Sequence, residues 1–112
     1  MSVSVKNIIP SKTAEAAQTT QYTADNVSTI IDKFTAVNYS ASAADISVNL
    51  VISSGSAADS NLVTKSKTLQ PNESYTFPEI TGHVLAPSSF ISTLAGTADS
   101  ISIRASGREV TQ

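Results

Sequence analysis

Apolar and polar residues alternate most clearly in the stretch "DISVNLVIS", residues 45–53. Successive side chains of a β-strand point to opposite faces, so this pattern gives one aliphatic face and one mainly polar face. The stretch therefore predicts a half-buried strand. Four side chains are predicted to point inward: Ile46, Val48, Leu50 and Ile52.

The preceding stretch, "STIIDKFTAVNYS", residues 28–40, alternates less regularly. Ile31 and Val37 share one parity, whereas Phe34 and Ala36 share the other. Two structures are compatible with this mixture. The strand is either covered on both faces or carries a bulge that shifts its alternation by one residue.

Turn-forming residues separate the later strands. Residues 53–61, "SSGSAADSN", predict a loop, and residues 62–69, "LVTKSKTL", predict an edge strand protected by its two lysines. Short strands at intervals of roughly 8–12 residues with turns between them are typical of a sandwich or a barrel. Further strands are predicted at 84–85, 90–94 and 101–105, with a tail strand near Glu109.

The stretch "LQPNESYTFPEI", residues 69–80, predicts a hairpin corner between strands of the sandwich, and the alternative is a presented loop that contacts another molecule. Pro71 pre-sets the backbone for a turn, and the Asn72 side chain can cap it. Tyr75 and Phe77 follow with alternating parity and would lie on one face.

The first 21 residues are predicted to be an N-terminal arm and linker, ahead of a β-sandwich body at 22–112. Residues 11–18, "SKTAEAAQ", could form only a marginal helix of two turns, so an extended linker is favoured. The arm "VSVKNII" is too apolar to be left in water. We expect it to add as a strand to a neighbouring subunit or to fold onto its own sheet. Its candidate interface residues are Val3, Val5, Ile8 and Ile9.

The composition of the chain excludes several classes of partner. The chain has 112 residues, enough for one core, and only 14% are charged, against roughly 25% in an average soluble domain. A net charge of -2 provides no cluster of basic residues for nucleic acid, and we expect no direct nucleic-acid partner.

Because the chain has no long apolar run and no signal-like start, we expect no membrane partner and no export. The absence of cysteine fits assembly in a reducing cytoplasm.

Candidate chemistry is sparse. His83 is the only histidine, and no nucleophile-elbow motif accompanies it. The acidic residues are isolated, and the four glycines form no phosphate-binding loop. We predict a protein that is not an enzyme and has no catalytic, cofactor or metal site.

The region 22–110 resembles a family of small virion proteins of tailed bacteriophages. The similarity lies in the motifs "YTA", "IIDKFTAVN", "ISVNLV", "LQPNESY", "PEITGHVL" and "SISIRASGREV". The resemblance implies an antiparallel β-sandwich of immunoglobulin-like or jelly-roll type that is repeated in the particle. It implies no catalytic residues.

The leading hypothesis is a capsid decoration or cement protein that stabilises the shell through subunit contacts. The expected partners are the major capsid protein or other virion proteins and further copies of the chain. The expected location is the virion, after assembly in the host cytoplasm. A surface rich in Ser, Thr and Ala fits this role, because few charges would lose water on assembly. One alternative is a neck, collar or tail protein. Another is a module that binds a host-surface glycan through the loop 53–61.

Overall fold

Nine β-strands and one short 3-10 helix make up the computed structural model, which describes residues 2–111. The 3-10 helix, Asp59–Asn61, lies in the predicted loop between the fourth and fifth strands. The strands predicted at 84–85, 90–94 and 101–105 are confirmed, whereas the tail strand predicted near Glu109 is the end of the same strand, Ile101–Val110. In chain order the strands are β1 (Val3–Thr13), β2 (Thr19–Thr23), β3 (Ser28–Asn38), β4 (Ala44–Val51), β5 (Leu62–Leu69), β6 (Ser74–Thr76), β7 (Val84–Leu85), β8 (Phe90–Ala95) and β9 (Ile101–Val110).

The strands form two antiparallel sheets. The first sheet has the order β1-β9-β3-β6, and β7 also pairs with β3. The second sheet has the order β2-β8-β4-β5, which confirms β5 as an edge strand. Side chains from both sheets share one core, so the predicted all-β antiparallel sandwich is confirmed. Its members include Ile9, Phe34 and Ile103 from the first sheet and Ile46, Val48 and Ile91 from the second.

The residues predicted as an N-terminal arm form most of β1. This strand pairs antiparallel with β9 of the same chain, which is the second of the two alternatives for the arm. The boundary predicted between residues 21 and 22 falls inside β2, and the division into an arm 1–21 and a body 22–112 stays a prediction. Met1 and Gln112, the outer ends of these segments, lie outside the described residues.

A bulge explains the irregular alternation of β3. Its register against β9 shifts between Ile31 and Lys33, so Ile31 and Phe34 are both buried. In β4 the predicted inward pattern holds for Ile46 and Val48, but Leu50 is only half-buried and Ile52 is 74% exposed. The strand ends at Val51 and the chain turns there, with the Ile52 carbonyl accepting the Gly55 N–H at 2.9 Å.

The stretch "LQPNESYTFPEI" is a corner between the two sheets. Its turn contains Asn72 with φ of 66°. However, β5 pairs with β4 in the second sheet, whereas β6 pairs with β3 in the first. The predicted hairpin is therefore wrong, because the two strands that flank the turn have different partners. The predicted aromatic pair is confirmed: Tyr75 and Phe77 meet edge to face at 4.8 Å, and Phe77 meets Phe34 at 5.3 Å.

Asn38 holds the loop that follows β3, residues 39–43. Its buried side-chain amide donates to the carbonyls of Ser42 and Leu69, both at 2.9 Å. Its side-chain oxygen accepts the backbone N–H of Ser40 at 2.9 Å. The loop is thus fixed by one side chain at its start, whereas residues 41–43 are exposed.

At Gly107, β9 packs against β3 too closely to leave room for a side chain. A Cβ built at this position would lie 2.3 Å from the carbonyl oxygen of Ile30 and 3.5 Å from the Cα of Ile31. The first distance is far shorter than any normal contact, and the obstacle is backbone. Only glycine fits at this position with the strands in their present places.

Candidate functional site

The four sequence-predicted interface residues divide into two pairs. Ile8 and Ile9 are 5% and 0% exposed and belong to the core of their own chain. Val3 and Val5 are 55% and 82% exposed. A register shift between Lys6 and Ile9 separates the two pairs. Burial in the core accounts for the apolar character of the two isoleucines, whereas nothing in the described residues covers the two valines. A role of any of them in an interface stays a prediction.

The register of the first sheet places Val5 in an apolar row on the outer face. Val5 lies opposite Arg108 of β9, which lies opposite Ile30 of β3. Ile30 in turn lies opposite Val84 of β7. Val84 is 61% exposed, and Ile30 is half-buried. The row crosses four strands, or about 15 Å at the usual spacing between strands.

A second row lies beside the first. Val3 faces Val110 of β9, which faces Ser28 of β3. Because residues two apart on a strand share a face, both rows lie on the same side of the sheet. We call the five aliphatic members of these rows the apolar patch: Val3, Val5, Ile30, Val84 and Val110.

The charges within the patch neutralise each other. Arg108 binds Asp32 through two nitrogens, Nε at 3.1 Å and 3.2 Å and Nη2 at 2.9 Å from the carboxylate oxygens. These hydrogen bonds raise the pKa of Arg108. A forked pair of this kind presents a flat, neutral surface, so a partner that covers the patch meets no unpaired charge from either residue.

Polar side chains fill the inner face of the sheet directly behind the patch. Glu109 accepts the Lys6 ammonium on one carboxylate oxygen at 2.9 Å and the Tyr22 hydroxyl on the other at 2.5 Å. The Tyr22 hydroxyl also lies 2.6 Å from the Thr29 hydroxyl. Tyr22 belongs to β2, so this polar cluster ties the second sheet to the first.

The polar cluster shifts the pKa of two of its members, Tyr22 and Glu109. Burial and the hydrogen bond to Glu109 raise the pKa of Tyr22 to about 12. The hydrogen bonds from Tyr22 and Lys6 lower the pKa of Glu109. Both effects favour a protonated tyrosine bound to an ionised carboxylate, which is the arrangement that fixes β1 against the sandwich at neutral pH.

Most of the large exposed apolar side chains gather at this end of the sandwich. Ile52 and Val84 line the same shallow cavity, beside the start of β8. Tyr39 is the exception among the described residues: it lies at the opposite end, where its hydroxyl is 3.3 Å from the Thr13 hydroxyl. The exposed apolar surface is thus concentrated, as is typical of a region that another molecule covers.

The loop 53–61 borders a small cavity on the second sheet. Asn49 at its base is buried, and its amide donates to the Ala58 carbonyl at 3.0 Å and to the Asn61 side chain at 2.7 Å. Gln18, Asp59 and Lys65 are among the other lining residues, and no aromatic side chain of the described chain lines the cavity. Its central amide is therefore already satisfied from within the protein.

The sequence candidates for chemistry do not converge. His83 is exposed in the turn before β7, and its backbone carbonyl accepts the Ile31 N–H at 3.0 Å. Within residues 2–111, no three histidine or acidic side chains come together where a metal ion would bind. The same residues contain no helix of the length and hydropathy needed to cross a membrane.

No protein-family model and no curated protein matches the chain. Among solved structures, the chain is similar to a chain of infectious bursal disease virus, Gx strain, with a TM-score of 0.55 and 17% sequence identity. The likeness covers 97% of this chain and 33% of the viral chain, so this chain spans about a third of the length of that one. At this identity the likeness shows a shared fold.

Proposed function

We propose that this protein is a non-enzymatic structural component of a virus particle. The observation that carries the proposal is the apolar patch, where Val3, Val5 and Val84 are more than half exposed on the outer face of a rigid sheet. Exposure of these aliphatic side chains to water has an unfavourable free energy, which contact with another protein removes. The sandwich shared with a chain from a virus supports the same role.

The patch fits a protein surface better than any other partner class. Nucleic acid requires clustered free cations, whereas Arg108 and Lys6 both have carboxylate partners, Asp32 and Glu109. Covering the patch would bury aliphatic side chains and neutral pairs, so the desolvation penalty for unpaired charge is small. The partner surface is therefore expected to be apolar at its centre and weakly charged around it.

Within a particle, we assign the chain to the outside of a tailed-phage capsid, as a decoration or cement protein. The sequence resemblance and the low charge support this position. In this role the patch seats the protein on the shell, and the repeated contact holds neighbouring shell subunits together. A neck, collar or tail protein remains the rival, since the same sandwich and patch would serve it equally.

The test is the amount of the protein in purified particles, measured by quantitative mass spectrometry against the major capsid protein. A copy number close to that of the capsid protein, or a simple fraction of it, is the expected result. A copy number lower by about tenfold or more would move the protein to the neck or tail. Absence from intact, washed particles would overturn the structural role altogether.

A second candidate is a glycan-binding module, favoured by the polar cavity beside the loop 53–61. Sugar hydroxyls would have to compete with the internal hydrogen bonds of Asn49. A glycan array probed with the protein displayed at high valency tests this candidate. Binding that is lost in the variant Asp59→Ala, on the rim of the cavity, would favour it over the shell role.

A further inference from the structure

The free edge of β1 exposes backbone groups next to the apolar patch. The Thr111 N–H donates to the Ser2 carbonyl at 2.9 Å, so Ser2 and Thr111 form a hydrogen-bonded pair. In an antiparallel ladder such pairs alternate with pairs whose N–H and C=O groups point away from each other. The register continues without a shift from Val3 to Lys6, so the backbone groups of Val3 and Val5 point away from β9.

We propose that two copies of this chain pair through this edge, with β1 of each running antiparallel to β1 of the other. The two-fold axis passes between the two Ser4 residues. Val3 then lies opposite the partner's Val5, and Lys6 lies opposite the partner's Ser2. The N–H and C=O groups of Val3 and Val5 gain hydrogen-bond partners, and the two first sheets become one continuous sheet.

A second copy fits this edge better than an unrelated strand, because the segment is complementary to itself. The pairing sets valine against valine on one face, and no lysine faces a lysine. Lys6 keeps its own partner, Glu109, on the inner face. The two-fold contact is closed, because both copies use the same segment 2–6, so pairing through this segment stops at two copies and does not grow into a fibre.

Continuity of the outer face supports the same register. In each copy the first row of the patch ends at Val5, on the free edge. Across the axis it meets the partner's Val3, which begins the second row of the other copy. Two patches of five side chains therefore join into one apolar band that runs across both sheets, and the most exposed residue, Val5 at 82%, becomes its centre.

The remainder of β1 limits the pairing to residues 2–6. Register shifts between Lys6 and Ile9 and between Ile9 and Lys12 bend the strand, and Pro10 has no N–H to donate. Bulges, proline and lysine are the devices that keep edge strands from pairing. In β1 the bulges and the proline lie beyond Lys6, which leaves residues 2–6 as the part that pairs.

The dimer does not depend on a role in a virion, since its observations lie within β1 and β9. Its first test is cross-linking through the variant Ser4→Cys, which is free of competing thiols because the chain contains no cysteine. Residues opposite each other at such a position have Cα atoms about 4.5 Å apart, within the range of a disulfide. The control is Ser60→Cys, which introduces a thiol at an exposed position in the loop 53–61.

Mild oxidation should convert Ser4→Cys to a disulfide dimer at least about tenfold faster than Ser60→Cys at equal protein concentration. Equal rates for the two variants would overturn the proposed register. Because both substituted serines are exposed, neither variant removes a core contact, and circular dichroism provides the check that both are folded.

The second test introduces charges on both sides of the axis and measures dimerisation by sedimentation velocity over a range of concentrations. The variant Val3→Lys/Val5→Lys sets lysine against lysine twice, and we expect its dimerisation to weaken by about tenfold or more. The variant Val3→Glu/Val5→Lys sets opposite charges together and should retain the dimer. Equal behaviour of the two variants, or a wild-type protein that is monomeric at every concentration, would overturn the inference. Particle binding by that monomer would leave the proposed function intact.

Discussion

In the first sheet, the middle and the end that carries Val3 and Val5 both alternate between polar and apolar faces. The apolar face points inward in the middle and outward at that end. In the middle, Ile9, Ala105 and Phe34 point inward and are buried. On the outer face there, Arg104 binds Asn7 at 3.2 Å and Ser11 at 3.3 Å. The middle of the sheet is thus an ordinary sandwich layer, apolar inside and polar outside.

At the end of the sheet the arrangement is reversed. Lys6, Glu109 and Tyr22 project from the inner face, with the Lys6 side chain still 56% exposed, whereas Val3 and Val5 project from the outer face. The hydrophobic effect alone would place the valines inward. Pairing of the charged groups offsets the cost of placing them on the inner face, whereas the exposed valines keep an unfavourable contact with water that a partner would remove. The comparison teaches that β1, β3 and β9 contribute both to the buried core and to an exposed apolar surface.

The largest loss of stability is expected from a substitution in the middle of the first sheet. Phe34 is fully buried and contacts Phe77 edge to face, so Phe34→Ala should lower the free energy of unfolding by about 3–5 kcal/mol. Urea denaturation monitored by circular dichroism measures the change. The matched control at the end is Val5→Ala, for which a loss comparable to that of Phe34→Ala would contradict the division between core and surface.

Gly107 lies at the junction of the two regions, opposite Lys6 on one side and Ile31 on the other. Gly107→Ala should cost about 2–3 kcal/mol, because its Cβ must displace the Ile30 backbone. Thermal unfolding measures this loss. Ser106→Ala, one residue away and half-buried, is the control and should change stability by less than about 0.5 kcal/mol. Equal losses in both variants would exclude the backbone contact as the cause.

The polar cluster behind the patch should have a smaller effect that depends on pH. Tyr22→Phe removes the hydroxyl bound to Glu109 and Thr29 and should cost about 1 kcal/mol at neutral pH. In the unfolded chain the tyrosine loses its proton near its ordinary pKa of 10.0, whereas in the folded protein it does so at about 12. The folded state therefore binds more protons in this window.

The stability that Tyr22 contributes is consequently complete below pH 10 and is lost as the pH rises to about 12. Urea midpoints of the wild type and Tyr22→Phe at pH 8, 10 and 11 measure this loss. The gap between the two proteins should narrow as the pH rises. A gap that is constant over this range would show that the Tyr22 hydroxyl is not held as the structure has it.

The smallest effect on stability, and the most specific effect on assembly, is expected at the patch itself. Val84→Asp should change the free energy of unfolding by no more than about 0.5 kcal/mol, since Val84 is 61% exposed. It should nevertheless reduce binding to particles that lack the protein, as measured by co-sedimentation. Thr68→Asp, an exposed change on the edge strand β5, is the control and should bind normally. Equal binding by both variants would exclude the patch as the contact surface.

Much of the fold could be predicted from alternation because each strand carries its own signal. The limits of β7 and the start of β8 and β9 follow directly from the order of apolar and polar residues. Which strands pair with each other does not follow from alternation in the same way. The turn at Asn72 is visible in the sequence, but which strand β5 joins depends on pairing with β4, which is more than 20 residues before the turn in the chain.

The candidate site could be predicted only in part, for a related reason. Val3 and Val5 stand out because an apolar arm must be covered. Ile8 and Ile9 look the same in the sequence, and only the register shift after Lys6 sends them into the core. Ile30, Val84 and Val110 join the patch through pairing between strands that are distant in sequence, so no local pattern identifies them.

The loop held by Asn38 offers a use in protein engineering. β3 begins at the patch and ends at this loop after 11 residues, so the two lie about 35 Å apart. The buried side chain of Asn38 holds the loop by hydrogen bonds, and the exposed residues 41–43 form its tip. A foreign peptide grafted into that tip would lie far from the patch, so an antigen or an enzyme inserted there would leave the patch free for its partner.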